Sequence, residues 1–242
     1  MTLFHKTLDL CRLQDINKGD LVSLMDTLNK YNPFFHCDIQ RDAHEAFILL
    51  LEAFNAVCRK PKNGNQFSDI PEFMDYYFCG IFRKKFDCAN CHEENIFFES
   101  FRNFIILPTE DISNFLAKQH IEKISITCDR CHLRNSQKLY MEIHEFPRIL
   151  MLQINRFSTS SIHHRHRKNN QNMTVYSNVK FGFVEYELFG LIDHHGVLVD
   201  NGHYTCFVYH DHCWYHCNDI NIEKAILPSS SQNMYLLFYN RK

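Results

Sequence analysis

The sequence predicts an α+β fold, with helices in its first third and a largely antiparallel sheet from about residue 84 onwards. Apolar residues recur at helical spacing in the first third, whereas short runs of aromatic and β-branched residues dominate afterwards. Apolar residues make up 45% of the 242 residues and charged residues 22%, a balance that supports a packed core and excludes global disorder. The formal net charge of −2 argues against a general nucleic-acid or membrane-surface binder.

Three helices are expected before the strands begin. An apolar stripe at residues 21–28 indicates the first. Residues 42–45 resemble a capping box, and the apolar stripe at residues 43–57 that follows predicts a long second helix. Pro71 is a suitable opening residue for a third, short helix over residues 73–78.

The rest of the chain is expected to form strands, interrupted by one helix at residues 111–119. Short aromatic or β-branched runs predict seven of these strands, and no internal repeat is evident. The runs lie at residues 95–98, 103–107, 138–144, 149–157, 186–192, 204–209 and 234–239.

The eleven cysteines are expected to be thiols, metal ligands or core residues and not a disulfide framework. Residues 1–6 show no secretory signal, and no apolar run approaches the ~18 residues that a membrane span requires. We therefore expect a reducing compartment, cytoplasmic and/or nuclear, and no contact with a membrane.

Two CxxC pairs predict a structural zinc site. Cys88 and Cys91 form the first pair, and Cys128 and Cys131 form the second. A two-residue spacer lets both thiolates of a tight knuckle face one cation, and two knuckles complete a closed tetrahedral site of four cysteines. Such a zinc stabilises folding and takes no part in hydrolysis. Buried core thiols are the alternative interpretation.

Part of a hydrolase triad is visible near the C-terminal end. His203 lies in a strand-like run, and Asn218 and Asp219 come just beyond the next one. A histidine base and an amide or carboxylate that orients it are two of the three groups that activate a nucleophile.

Four stretches, in order, resemble the catalytic domain of the ubiquitin-specific protease family. Residues 40–47 resemble its QQDAxEF box, the CxxC pairs its zinc ribbon, residues 146–157 its P-xx-L-xxx-L-x-RF strand, and residues 186–239 its histidine box and closing strand. The resemblance implies a papain-like fold with partial thumb helices, an antiparallel palm sheet and zinc-ribbon fingers at residues 84–145. These form one domain over residues 1–242 that we expect to be incomplete at its N-terminal end.

The resemblance also implies thiol-dependent removal of ubiquitin or a ubiquitin-like modifier from proteins. In that role His203 is the general base, and Asn218 accepts the imidazole N–H and orients the ring. Asp219 is an adjacent polar partner that helps to position the reacting carbonyl. Gly202 leaves room for a narrow Gly-Gly tail, and Trp214 packs beneath the site.

The expected nucleophile is missing from the sequence as given. The family's cysteine box should precede residues 40–47, and residues 1–39 contain nothing like it. Cys11 lacks the neighbouring glycines and asparagine that build the turn and oxyanion hole, and Cys37 lies too close to the QQDAxEF-like stretch. Cys206 follows His203 by three positions on a strand, so its side chain should point to the opposite face. An incomplete sequence or a variant is the favoured explanation.

Other functions stay open. An inactive modifier-binding or signalling scaffold would keep the palm and fingers without catalysis. A zinc-ribbon nucleic-acid protein is supported only by the basic residues 163–172, whose simpler interpretation is a solvated hairpin loop. The favoured hypothesis is a monomer that binds ubiquitin or a ubiquitin-like modifier and its conjugates, with no nucleic acid. Within the family, the sequence is most similar in character to an interferon-induced member that acts on a two-lobed modifier.

Overall fold

The computed structural model describes residues 42–58, 73–117, 120–124, 127–134, 137–159, 166–198 and 201–242, together with Asp26, Asn29 and Lys30. The long helix, the short helix after it and the helix between the strands are α1 (Ala43–Cys58), α2 (Phe73–Phe78) and α3 (Ile112–Ala117). None of the helices in the described segments is both long and apolar enough to cross a membrane. Almost all of the expected helix at residues 21–28 lies outside the described residues.

Sixteen strands are present in the described segments. They are β1 (Gly80–Cys88), β2 (Glu94–Phe101), β3 (Phe104–Ile106), β4 (His120–Ile124), β5 (Gln137–Glu145), β6 (Ile149–Ile154), β7 (Phe157–Thr159), β8 (His166–Lys168), β9 (Met173–Thr174), β10 (Asn178–Phe181), β11 (Val184–Leu198), β12 (Asn201–His210), β13 (Cys213–Asn218), β14 (Asn221–Ala225), β15 (Ser230–Ser231) and β16 (Met234–Arg241).

Two sheets organise these strands. The palm sheet has the order β14-β13-β12-β11-β16-β6-β3, with β10 added to β11. All of its pairs are antiparallel except that of β3 with β6. The finger sheet has the order β2-β1-β5-β4 and is antiparallel throughout. The predicted α+β class and the largely antiparallel sheet are confirmed.

The palm sheet has a hydrophobic cluster on each face, and β16 contributes side chains to both clusters. Leu236 and Phe238 join the cluster that contains α1 and α2, whereas Leu237 and Tyr239 join the cluster that contains α3. This alternation is the period-two pattern of a strand buried on both sides. The palm sheet therefore lies between α1 and α2 on one face and α3 on the other.

Helix α1 begins where the sequence predicts it. One Asp42 carboxylate oxygen, Oδ1, accepts hydrogen bonds from the backbone N–H groups of His44 at 2.7 Å and Glu45 at 3.1 Å. These bonds satisfy donors that a helix N-terminus otherwise leaves unpaired. Phe47 and Leu51, one turn apart, then pack on the palm sheet.

The strand predicted at residues 149–157 is interrupted after Ile154, and Arg156, at the interruption, is fully buried. Its guanidinium donates to the carbonyl oxygens of Met234, Asn169, Gln171 and Ser231 at 2.6 to 3.2 Å. Reaching these four acceptors takes residue 156 out of the ladder, and β7 begins one residue later.

The basic residues 163–172 were expected to form a solvated hairpin loop, and for Lys168 this is wrong. Residues 157–159 and 166–168 do form an antiparallel pair. However, Lys168 is only 4% exposed, and its Nζ donates to the Asn233 side-chain oxygen at 2.9 Å and to the His194 carbonyl oxygen. A buried ammonium needs such acceptors to replace water, and composition alone does not reveal them.

Candidate active site and metal cluster

The hairpin of β12 and β13 positions His203 and Asn218. Its turn residues Asp211 and His212 have φ angles of 44° and 60°, the two positive values of a type I′ turn, whose twist matches that of the flanking strands. The register pairs Cys206 with Cys217. His203, in β12, and Asn218, the last residue of β13, are therefore near neighbours on one face of the sheet.

The two side chains are hydrogen-bonded, with 2.6 Å between His203 Nε2 and Asn218 Oδ1. An amide oxygen only accepts hydrogen bonds, so the imidazole proton lies on Nε2. The other ring nitrogen, Nδ1, then carries the lone pair. This is the arrangement of a histidine that is ready to accept a proton while its ring is held in place.

A second histidine lies beside His203. His195 is the direct partner of His203 across β11 and β12, and the ring centroids are 6.4 Å apart. Thr205 Oγ1 lies 2.8 Å from His195 Nε2, and Asn233 Nδ2 lies 3.2 Å from His195 Nδ1. Lys168 Nζ donates to the oxygen of the same amide, so the Asn233 nitrogen faces His195 and donates to Nδ1.

These contacts hold His195 neutral, with its proton on Nε2. The pKa of His195 lies below its ordinary value because burial disfavours the imidazolium, although Asp193 opposes this effect. Lys168, His203 and His216 repel a positive charge at the same position. His203 therefore stands beside an uncharged ring. The sequence reasoning missed this residue, and its only sequence signal is the His194-His195 pair in β11.

Gly202 is needed for a different reason from the one predicted. A Cβ atom at this position would lie 2.3 Å from the His195 carbonyl oxygen and 2.5 Å from His194 Nε2. The space that a side chain would take is thus filled by β11 of the same chain. This geometry shows a close contact with β11 and does not itself show room for a substrate tail.

Asp219 and Trp214 lie at opposite ends of β13. Asp219 is exposed and has a φ of 52°, in the two-residue turn between β13 and β14. Asp and Asn tolerate this left-handed backbone better than most residues. Trp214 packs against the palm core on the α3 side, with its ring 5.3 Å from that of Tyr209.

The cysteine nearest to His203 in sequence is directed away from it. Cys206 pairs with Cys217 across β12 and β13, so the two thiols are neighbours on the face opposite to His203. Burial, followed by the neighbouring Cys217, raises the pKa of Cys206 to about 12, so this thiol is a poor nucleophile. Cys11 and Cys37 lie outside the described residues.

Helix α1 is tied to the strand that carries His203, a link that the sequence reasoning missed. The Tyr235 hydroxyl donates to Asp42 Oδ2 at 2.5 Å, and the Ala43 N–H donates to the Tyr204 hydroxyl at 3.4 Å. Tyr204 directly follows His203. The N-terminus of α1, part of the QQDAxEF-like stretch, is thereby held beside the candidate base.

The four predicted metal ligands come together at the tip of the finger sheet. The sulfur atoms of Cys88, Cys91, Cys128 and Cys131 all lie within 4.8 Å of one another. Those of Cys88 and Cys131 are 3.7 Å apart, and those of Cys91 and Cys128 are 3.6 Å apart. A tetrahedral ion with bonds of about 2.3 Å to sulfur requires sulfur separations of about 3.8 Å. These two separations match that geometry, and the cluster could hold a metal ion.

Both knuckles have the same backbone geometry. The N–H of His92 donates to the Cys88 carbonyl, and that of His132 donates to the Cys128 carbonyl, at 2.9 and 2.8 Å. Both histidines have a φ of 56° and are exposed. Each knuckle turns back on itself at the residue after its second cysteine, which directs the histidine ring outwards.

The family model for ubiquitin carboxyl-terminal hydrolases matches residues 15–239. The chain belongs to this family. The family resemblance proposed from four stretches of sequence is thus confirmed.

Curated relatives agree with this assignment. Ubiquitin carboxyl-terminal hydrolase 17-like protein B of Mus musculus is 26% identical over 220 residues, which cover 85% of this chain and 47% of the relative. Probable ubiquitin carboxyl-terminal hydrolase 8 of Schizosaccharomyces pombe is 23% identical over 217 residues, 84% of this chain and 46% of the relative. The chain thus spans about half the length of these relatives.

Solved structures show the same fold. Ubp8 of the SAGA DUB module, bound to ubiquitin aldehyde, superimposes with a TM-score of 0.77 at 19% identity, over 94% of this chain and 56% of that chain. A cysteine-to-alanine variant of Ubp8 in the same module, bound to monoubiquitin, also has a TM-score of 0.77 at 19% identity, over 93% of this chain and 53% of that chain. The predicted papain-like ubiquitin-specific protease fold is confirmed.

Proposed function

We propose that this chain supplies the base and its orienting amide to a thiol-dependent isopeptidase that acts on ubiquitin conjugates. The observation that carries the proposal is the 2.6 Å hydrogen bond between His203 Nε2 and Asn218 Oδ1 in a chain of this family. It leaves Nδ1 of His203 available to accept a proton. The nucleophilic thiol is not identified among the described residues.

The chemistry follows from this geometry. His203 Nδ1 takes the thiol proton, and the thiolate attacks the carbonyl carbon of the isopeptide bond after the modifier's terminal glycine. The tetrahedral intermediate collapses to an acyl-enzyme as the His203 imidazolium protonates the departing lysine amine. Water, deprotonated by the same ring, then hydrolyses the thioester. Asn218 keeps the ring oriented throughout.

An electrophilic ubiquitin probe tests the proposal. Ubiquitin vinyl sulfone should form a covalent adduct with the protein, and His203→Ala should slow adduct formation by about 10⁴-fold because the thiolate is no longer generated. Asn218→Ala should slow it by about 10²-fold, since the ring is kept but not oriented. His210→Ala, an exposed histidine on the same strand, serves as the control and should react at the wild-type rate. Equal rates for His203→Ala and wild type would refute the assignment.

A second candidate is a ubiquitin-binding scaffold without catalysis. Its support is that the cysteine nearest to His203 in sequence pairs with Cys217 and has a pKa of about 12. In this case, no adduct forms with the vinyl sulfone probe, while calorimetry still detects binding of free ubiquitin. Adduct formation on any cysteine that depends on His203 would exclude the scaffold.

The identity of the modifier is part of the proposal. Ubiquitin is favoured because the superimposed Ubp8 structures are bound to ubiquitin or its aldehyde. The resemblance to an interferon-induced member predicts a tandem two-lobed modifier instead. Reacting the protein in parallel with vinyl sulfones of ubiquitin and of a two-lobed modifier separates these choices through the ratio of the two rates.

Zinc is the metal that we propose for Cys88, Cys91, Cys128 and Cys131. Four thiolates at tetrahedral separations suit zinc and leave no open position for substrate or water. The ion would therefore connect the two hairpins of the finger sheet and take no part in hydrolysis. Elemental analysis of the purified protein should find about one zinc per chain, a value that falls on Cys128→Ser substitution.

A monomeric state, a cytoplasmic and/or nuclear location, and the lack of membrane or nucleic-acid partners stay predictions from composition. Size-exclusion chromatography with light scattering checks the first. Retention on an RNA column at low salt would contradict the last, because a charge-driven contact is strongest there.

A further inference from the structure

Two thiols face each other on the hairpin that carries His203 and Asn218. Cys206 in β12 and Cys217 in β13 are direct partners in the antiparallel register, so their side chains are neighbours on one face of the sheet. Both cysteines are free and partly exposed. Asn218 directly follows Cys217, so the two thiols lie on the face of the sheet opposite to His203 and Asn218.

The position suits a disulfide after a small movement. Directly opposite residues of antiparallel strands have Cα atoms about 4.5 to 5.5 Å apart, within the range that a disulfide spans. Their Cβ atoms lie about 4.5 to 5.5 Å apart, whereas a disulfide brings them to about 3.8 Å. Bond formation must therefore draw β12 and β13 together by about 1 Å at this point.

We propose that Cys206 and Cys217 form a dithiol modification site, which hydroperoxides oxidise to a disulfide that disturbs the His203–Asn218 pair. This proposal concerns regulation and rests on the proposed function for its catalytic consequence. The covalent chemistry itself requires only the two thiols and the oxidant.

The oxidation has two steps and balances. The Cys217 sulfur attacks one oxygen of hydrogen peroxide and breaks the O–O bond; with proton transfer, this gives a sulfenic acid and one water. The Cys206 sulfur then displaces the hydroxyl group from the Cys217 sulfur, and its own proton completes the second water. The two sulfurs lose two electrons in total, and the peroxide gains them.

Burial and the adjacent Cys217 raise the pKa of Cys206 to about 12, which favours Cys206 as the thiol that reacts second. Asp193 adds to this effect with its negative charge.

The consequence for His203 comes from chain continuity. Asn218 is bonded directly to Cys217, and its side chain holds the His203 ring through one 2.6 Å hydrogen bond. A displacement of about 1 Å is large for such a bond, and misplacements of that size reduce enzymatic rates by about 10²-fold. Oxidation is thus expected to release the ring, and reduction to restore it.

Peptide mapping tests the modification without any need for catalysis. The zinc-loaded full chain is treated with hydrogen peroxide, alkylated and digested. A Cys206–Cys217 crosslink, two hydrogen atoms lighter than the paired thiols and reversed by dithiothreitol, is expected. The crosslink should be lost in Cys217→Ser and kept in Cys213→Ser, a control on the same strand. Oxidation of other cysteines with no Cys206–Cys217 crosslink would overturn the proposal.

Two further readouts separate this proposal from the proposed function. In ¹⁵N-edited NMR spectra, the hydrogen-bonded ring N–H signal of His203 should be lost on oxidation and return on reduction. The rate of reaction with ubiquitin vinyl sulfone should fall by about 10²-fold in parallel. A crosslinked protein with an unchanged N–H signal would overturn the coupling. The His203 N–H signal could also respond to oxidation in a protein that forms no vinyl sulfone adduct in either the reduced or the oxidised state. That result would support the dithiol site and contradict the proposed catalysis.

Discussion

Arg156→Met should destabilise the fold more than any surface substitution, because the arginine joins three backbone segments. Its guanidinium is fully buried and donates four hydrogen bonds to main-chain carbonyl oxygens. Two acceptors, Asn169 and Gln171, follow β8, a third, Ser231, is the last residue of β15, and the fourth, Met234, is the first residue of β16. Methionine keeps much of the apolar stem and leaves all four carbonyl oxygens without this donor.

The magnitude follows from opposing contributions. A hydrogen bond to a charged group contributes about 1.5 to 3 kcal/mol, so four of them amount to roughly 6 to 12 kcal/mol. Removing a desolvated charge returns several kcal/mol, and burial indeed lowers the pKa of Arg156 to about 10, although Asp193 opposes this. We expect a net loss of about 4 kcal/mol. That is a large part of the 5 to 15 kcal/mol typical of a domain.

Urea unfolding followed by tryptophan fluorescence measures this loss. With an m value of about 2 kcal/mol/M, the midpoint should fall by about 2 M. Arg156→Lys keeps the positive charge but loses the planar guanidinium with its several N–H donors. Its urea midpoint should therefore lie between those of the wild type and Arg156→Met. Arg102→Met removes an exposed pair with Asp75 and should cost less than about 1 kcal/mol. A loss below about 1 kcal/mol for Arg156→Met would refute the reasoning.

Three other perturbations have defined outcomes. His194 is fully buried, both ring nitrogens lack a hydrogen-bond partner among the described residues, and burial lowers its pKa to about 4. The free energy of unfolding should be highest above pH 6.5 and should fall by roughly 3 kcal/mol as the pH falls towards 4, because the unfolded chain then binds the proton that buried His194 does not. His194→Phe should remove this pH dependence from the unfolding curves. Chelation of the metal, or Cys128→Ser, should expose the finger sheet to hydrogen exchange and protease, whereas Cys79→Ser should not. Tyr235→Phe should cost about 1 to 3 kcal/mol in thermal unfolding, because Asp42 loses a buried donor; an unchanged midpoint would contradict that contact.

The sequence determined the elements whose causes are local. Apolar spacing of 3.6 residues and the Asp42 cap placed α1, and the two-residue spacers of the CxxC pairs predicted ligands that the fold does bring together. Short aromatic or β-branched runs located β3, β6, β11, β12 and β16 of the palm sheet but missed β10, β13 and β14. Each of these features depends on interactions between residues that are close along the chain, so a pattern of residue types is sufficient to predict it.

Contacts between distant residues were not predictable in the same way. The bond from Tyr235 to Asp42 joins residues 193 positions apart, and the acceptors of Arg156 come from both sides of β11 in sequence. A one-residue slip in register would direct either side chain to the opposite face. Lys168, in a stretch that composition assigns to solvent, is likewise buried through contacts with residues that are distant in sequence.

The family resemblance, carried by residue types in order along the chain, predicted His203 and Asn218 as a base and its partner, but only the tertiary structure decided how they meet. Strand pairing in β12 and β13 sets their separation at 2.6 Å and assigns the proton to Nε2. The same pairing places Cys206 against Cys217 and His195 beside His203. The chemistry of a side chain is inherent in its residue type, whereas its neighbours, charge and exposure depend on sheet register and burial, which the whole chain determines.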